Sequence, residues 1–212
     1  FQVPEDHSSL VPRLPDFPQA SEIIFSNCQV VGRTGLPQEL ADQGVIFASL
    51  DEALRDHSDL MRKYFQRHPV QLGGQKFIAL NVAFAASGTF LNVHKGVKVD
   101  LPFVVQHTLS GDRQSIFPHT IVVLEDQAEA SLVEFFVSGD TKSQLASGVN
   151  DLHAGQNAKL TYVGAQIWSD DTLSFQANSI HAERDAHIQC LNVHLGGRQA
   201  RHESHSRLAG PG

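Results

Sequence analysis

The stretch LNVHKGVKVDLPF, residues 91–103, decides the fold. Alternating apolar residues on both sides of His94, Lys95 and Gly96 read as two strands joined by a tight corner, with no helix following to make a crossover. The same shape returns in VVLEDQAEASLVEF (122–135), NDLHAGQNAKLTYV (150–163), NSIHAERDAHIQCLNV (178–193) and SRLAGPG (206–212). Strand ends before the corner fall at Val93, Leu124, Leu152, Ile180 and Leu208, with gaps of 31, 28, 28 and 28. Strand starts after it fall at Val99, Ala130, Ala158 and Ala186, and two positions later stand Leu101, Leu132, Leu160 and Ile188. A fixed period of this size marks a solenoid, propeller or array. The unit has no helix and is too short for the four strands of a propeller blade. A flattened β-helix remains, mainly β, built of two-strand coils of about 28 residues.

Stacked coils about 4.8 Å apart turn equivalent positions into ladders. Small Ala130, Ala158 and Ala186 suit an inward corner, and alternation puts Asn150 and Asn178 on the same inward face as Leu152 and Ile180. These asparagines are expected to bond along their ladder as structural groups.

The totals fit a soluble globular chain: 212 residues, 41% hydrophobic, 18% charged, net charge −7. That charge argues against a nucleic-acid module. No apolar run is long enough to span a bilayer, and the Pro-rich, acidic start carries no secretory signal. Two cysteines, Cys28 and Cys190, make no disulfide framework, so a cytoplasmic location is expected. The chain begins at Phe1 and stops inside the repeating pattern, and it reads as a piece of a longer protein.

Two regions are expected. Residues 1–75 hold an extended arm with Pro4, Pro12, Pro15 and Pro18, short strands in EIIFSNCQVVGRTGLP and GVIFASL, and one helix over about 50–67. Ser49 and Glu52 have capping-box spacing, His57 and Ser58 are placed to break the helix, and Pro69 ends it. Residues 76–212 form the β-helix core, incomplete at its C-terminal end, where an unpaired edge invites another chain.

Candidate sites are few. His94, Glu125, His153 and His181 fall in one outward column of the 28-residue register, but outward polar ladders are ordinary and nothing closes a metal shell. Cys190 and His194 share a strand face at i and i+4, with Cys190 expected in the core. Alternation splits His202 and His205 onto opposite faces. The acids Glu125, Asp126, Glu129 and Glu134 sit in one coil without repeats in the next, which weakens a carbohydrate-active enzyme as the alternative, though β-helices host such enzymes. A structural solenoid that binds through its uncapped end is a further alternative. No phosphate loop or nucleophile elbow exists. No catalytic, cofactor-binding or metal residue is assigned.

Three stretches carry a family resemblance: GVIFASLDEALRDHSDLMRKYF (44–65), QKFIALNVAFAASGTFLNVHKGVKVDLPF (75–103) and HTIVVLEDQAEASLVEFF (119–136). In them the chain resembles the SufD/SufB family of the Suf iron–sulfur cluster assembly system, SufD more than SufB. The departures are AFAASGTF, where relatives commonly carry Trp, and His94, which replaces a frequent Pro. The resemblance implies a right-handed parallel β-helix and a non-enzymatic scaffold that assembles, as a homo- or hetero-oligomer through β-helix edges, with SufB-like and SufC-like subunits, SufC being the ATPase. It implies no membrane partner. Any iron–sulfur cluster belongs to the assembled complex, and the family's interface residues lie beyond Gly212, so none is carried over.

Overall fold

The computed structural model describes residues 17–65, 74–138 and 143–210. Its first elements are β1 (Ser21–Ser26), β2 (Gln29–Thr34), α1 (Gln38–Asp42), β3 (Ile46–Ser49), α2 (Leu50–Asp56), α3 (Ser58–Tyr64) and α4 (Gln75–Phe84). Then come β4 (Thr89–Val93), β5 (Phe103–Leu109), β6 (Ser115–Ile116), β7 (His119–Leu124) and β8 (Glu129–Ser138). The last are β9 (Gln144–Ala154), β10 (Lys159–Trp168), β11 (Thr172–Ala182), β12 (His187–Gly196) and β13 (Gln199–Leu208).

From β7 onward the chain alternates between two sheets. A front sheet stacks β12-β10-β8-β5-β1-β2, and a back sheet stacks β13-β11-β9-β7-β4-β3 with β6 beside β9. Neighbours among β4 to β13 run parallel, which is the β-solenoid that the period implied. The N-terminal strands belong to the same sheets. β1 pairs parallel with β5, while β2 and β3 add antiparallel strands at that end of the stack. Antiparallel pairing there interrupts the parallel template.

One corner repeats with constant geometry. Val97, Ala128, Ala158 and Ala186 donate their N–H to the carbonyls of His94, Glu125, Gly155 and Glu183, each at 3.1 Å. The residue before each donor has positive φ: Gly96 (75°), Gln127 (64°), Asn157 (57°) and Asp185 (59°). This is the type II pattern, which Gly and Asn adopt at least cost. It brings Val97 and the three alanines inward, so the inward corner column is 128, 158 and 186 rather than 130, 158 and 186.

The pairing corrects the register elsewhere too. Val93 does face Leu124, but Leu124 faces Ala154, not Leu152, and Leu208 faces Ala182, not Ile180. Ala130 faces Leu160. Leu101 leaves its column altogether: Lys98 bridges Glu129 while Phe103 pairs with Leu132, so Asp100, Leu101 and Pro102 lengthen the turn and Leu101 is exposed. Coil length therefore changes with the corners, and a constant period slips by two residues.

Helices α2, α3 and α4 lie on the outer face of the back sheet. Ser49 Oγ accepts from the Glu52 N–H and the Glu52 carboxylate accepts from the Ser49 N–H at 2.9 Å, the expected capping box. The helix breaks at His57 as expected, and its second half closes at Phe65; Pro69 lies outside the described residues. Leu50, Ala53 and Met61 bury themselves on Phe90, Ile121 and Val123. α4 was not expected, because KFIALNVAF is apolar on more than one face and offers neither period cleanly. It packs Ile78 against Val149, Phe175 and Ala177.

Candidate functional site

Strand alternation sends two kinds of side chain into the solenoid. Beside the repeating corner the interior is apolar: Val93, Leu124 and Ala154 face Ala130 and Leu160. Midway along the strands it turns polar. Glu134 is fully buried between Leu132 and Phe136, and three donors meet its carboxylate. His107 Nε2 lies 3.0 Å from Oε1, Thr120 Oγ1 donates to Oε1 at 2.6 Å, and the Tyr162 hydroxyl donates to Oε2 at 2.8 Å. Asn150 Nδ2 donates to the Tyr162 oxygen at 2.5 Å. A buried carboxylate is tolerated only with such a shell of donors. The in-register ladder Phe25, His107, Phe136 stacks an aromatic ring on each face of the imidazole, at 4.8 and 5.0 Å.

Further along the axis the polar file continues between β10, β11, β12 and β13. Gln166 accepts from Trp168 Nε1 at 3.0 Å, and Gln176 Nε2 donates to Asn178 Oδ1 at 3.4 Å. Asn178 and Asn192 donate to Cys190 Sγ at 3.5 and 3.3 Å. His194 Nε2 lies 3.0 Å from His202 Nδ1, and His202 reaches Ser204 at 2.9 Å.

Burial, then the Glu134 charge, pushes the Tyr162 phenol well above its usual range. Burial likewise raises the Cys190 thiol and lowers both His194 and His202, the latter also through His194. Cys190 is therefore a protonated, weakly nucleophilic thiol. These groups can hold a neutral hydrogen-bonding file in place. They do not form a nucleophile with an adjacent base.

The sequence places some of these correctly. Cys190 and His194 do face inward, and His202 is separated from His205, but Cys190 bonds the asparagines and not His194. Asn150 and Asn178 are in register and inward, yet each bonds across to the front sheet and not along its ladder. The column of His94, Glu125, His153 and His181 dissolves. His153 stacks on Val123 and under Tyr64, and both it and His181 are buried; His94 and Glu125 pair at 2.7 Å on the corner, in line with Gly155 and Glu183. Glu125, His153, His181 and Glu183 nonetheless line one cleft of about 570 Å³ between α3 and the back sheet. Among the described residues no group of three or more His, Cys, Asp or Glu is placed to hold one metal ion.

The acids also part company. Glu129 is held below its usual carboxylate range by Lys98 at 2.6 Å and Lys159 at 3.2 Å. Glu134 is the residue sequence reasoning missed, having grouped it with the surface acids. The signal was present: Ala130, Leu132, Glu134 and Phe136 share one period-two face.

Comparison with known proteins covers nearly the whole chain. Residues 107–212 match the model of the SUF system FeS cluster assembly SufBD core domain, and residues 15–105 match that of the SufBD protein N-terminal region. The iron–sulfur cluster assembly protein SufD of Bacillus subtilis is 32% identical over 160 residues, 74% of this chain and 37% of its own length. SufBD family proteins of Staphylococcus haemolyticus and Staphylococcus epidermidis are each 26% identical over 179 residues, 84% of this chain and 37% of theirs. The chain thus spans about 37% of the length of these relatives. No helix among the described residues is long and apolar enough to cross a membrane. The chain belongs to the SufBD family of iron–sulfur cluster assembly proteins.

Proposed function

We propose that this chain is part of a SufD-type scaffold subunit, one that works with SufB-like and SufC-like partners and does no covalent chemistry itself. The observation that carries this reading is how the polar interior is used. Glu134, Tyr162, Thr120 and Asn150 are each buried to 1% or less and bonded to one another, so they lock the front sheet to the back sheet. A rigid stack of this kind is suited to presenting its strands to further coils or subunits. β12 and β13 stand last in their sheets, with half-buried Cys190, Asn192, His194 and His202 on their inner faces. Parallel strands in that position are a template for a next coil or for a partner's strand. The cluster is then the cargo of the assembly, and the compartment is the cytoplasm.

SufD is preferred to its paralogue SufB because the TIVVLEDQAEASLVEFF segment looks more like SufD and the chain matches the Bacillus subtilis SufD. The test is complementation. Full-length protein supplied to cells lacking SufD should restore the activity of an iron–sulfur enzyme, and cells lacking SufB should stay unrescued. Rescue of the SufB deficiency alone would reverse the assignment.

A further inference from the structure

Helix α4 crosses the strands it covers. Its ten residues rise about 15 Å, the depth of three strand-to-strand steps of about 4.8 Å, so the helix is long enough to reach four successive strands of the back sheet. It touches all four. At its C-terminal end the Phe84 ring lies 5.4 Å from that of Phe117, just ahead of β7. One turn back, fully buried Asn81 donates Nδ2 to the carbonyls of Pro118 at 2.8 Å and Ser147 at 2.7 Å, the second of these in β9. Its Oδ1 lies 3.0 Å from His119 Nδ1 in β7, and His119 Nε2 lies 2.9 Å from Asp151 in β9. Ile78 packs on Val149 of β9 and Ala177 of β11, and Phe77 stacks on Phe175 of β11 at 4.6 Å. At the N-terminal end the Gly74 N–H donates to Glu203 Oε2 of β13 at 3.1 Å. The fit is close there: a Cβ on Gly74 would stand 2.5 Å from that oxygen and 2.6 Å from Phe175 Cζ. Arg201 holds the Glu203 carboxylate from the other side at 2.8 Å.

In an ordinary solenoid each coil contacts only its neighbours and can loosen by itself. Here one rigid element is fastened to four. We propose that α4 is a splint that makes β7, β9, β11 and β13 open and close as a single cooperative unit. The coils therefore do not peel away one at a time from the β13 end, and the buried part of the polar file between the sheets, Glu134 and Tyr162, is reached only by a concerted opening. This stands apart from the scaffold reading and holds for any role of the protein.

Native-state hydrogen exchange on the full-length protein tests it with two variants. Asn81→Ala, which removes the bonds to Pro118, Ser147 and His119, should raise exchange by a common factor of about tenfold in β7, β9, β11 and β13. Glu203→Gln weakens the fastening at the opposite end and should raise the same four strands together, by a smaller common factor. A rise confined to β7 and β9 in the first variant, or to β13 in the second, would overturn the splint. So would an equal rise in β1 and β2, which α4 does not touch, since that is a general loss of stability. If Asn81→Ala fails to fold, Glu203→Gln decides alone.

Discussion

Replacing Tyr162 with Phe removes one oxygen from the middle of the interior and nothing else. The phenol is 1% exposed, so no solvent replaces what is lost. Its hydroxyl donates to Glu134 Oε2 at 2.8 Å and accepts from Asn150 Nδ2 at 2.5 Å. A hydrogen bond to a charged group contributes roughly 1.5–3 kcal/mol, and a buried donor left without an acceptor costs roughly 1–3 kcal/mol. Some relaxation of Asn150 offsets part of this, so Tyr162→Phe should destabilise by about 3 kcal/mol. With a urea slope of about 2 kcal/mol/M the unfolding midpoint should fall by about 1.5 M at unchanged slope. The pH dependence gives a second reading. Burial raises the folded phenol above the 10.0 of the free side chain, so its contribution is intact below about pH 10 and is lost as pH rises beyond that value. The variant should lose that alkaline component. A loss below about 1 kcal/mol with an unchanged alkaline limb would refute the picture of a dry, fully bonded network.

Glu52 sits beside Arg33, whose guanidinium donates to both carboxylate oxygens and draws its pKa down to about 2 from 4.5. A depressed carboxylate stabilises above its unfolded pKa, so the contribution should drain between about pH 5 and pH 2. Both partners are about one-third exposed, so Glu52→Gln should cost no more than about 1 kcal/mol at pH 7 and clearly less at pH 2 by chemical denaturation. His194 and His202 are both lowered by burial, which favours their neutral forms in the fold. Stability should therefore fall as pH drops below about 6.5, and His202→Gln should flatten that limb in thermal scans; an unaltered limb would mean the pair is not the cause. The hairpin between β1 and β2 turns on Asn27 and Cys28, with φ of 44° and 76°. Gly is the ordinary second residue of such a turn, so Cys28→Gly should gain about 1 kcal/mol, a rise of about 2–4 °C in Tm. A fall in Tm would show that the packing of Cys28 against the buried cluster of Leu109, Ile116, Phe136, Ala146 and Trp168 outweighs the backbone strain.

The architecture was legible because stacking repeats chemistry at a nearly fixed interval. The corner alanines, the inward cysteine and the capping box all follow from local rules applied to short windows. The register was less legible, since the true spacing is 30 residues from Leu124 to Ala154 but 28 from Ala154 to Ala182, a difference invisible to a constant period. That slip of two kept every inward residue inward but moved it to another column, which is how His153 and His181 were set beside His94 and Glu125. α4 escaped because its identity rests on contacts with β7 to β13, up to 129 residues away between Gly74 and Glu203. The polar file was half legible. Alternation fixes its direction, but only the opposing sheet determines that Glu134 meets Tyr162 and Asn150.

The scaffold reading is tested most directly by co-expressing the full-length protein with SufB and SufC from the same organism, isolating the complex through a tag on this subunit, and assaying ATP hydrolysis. Recovery of both partners with ATPase activity above that of SufC alone is the expected result. Recovery of neither partner, with SufB and SufC still associating with each other, would contradict it.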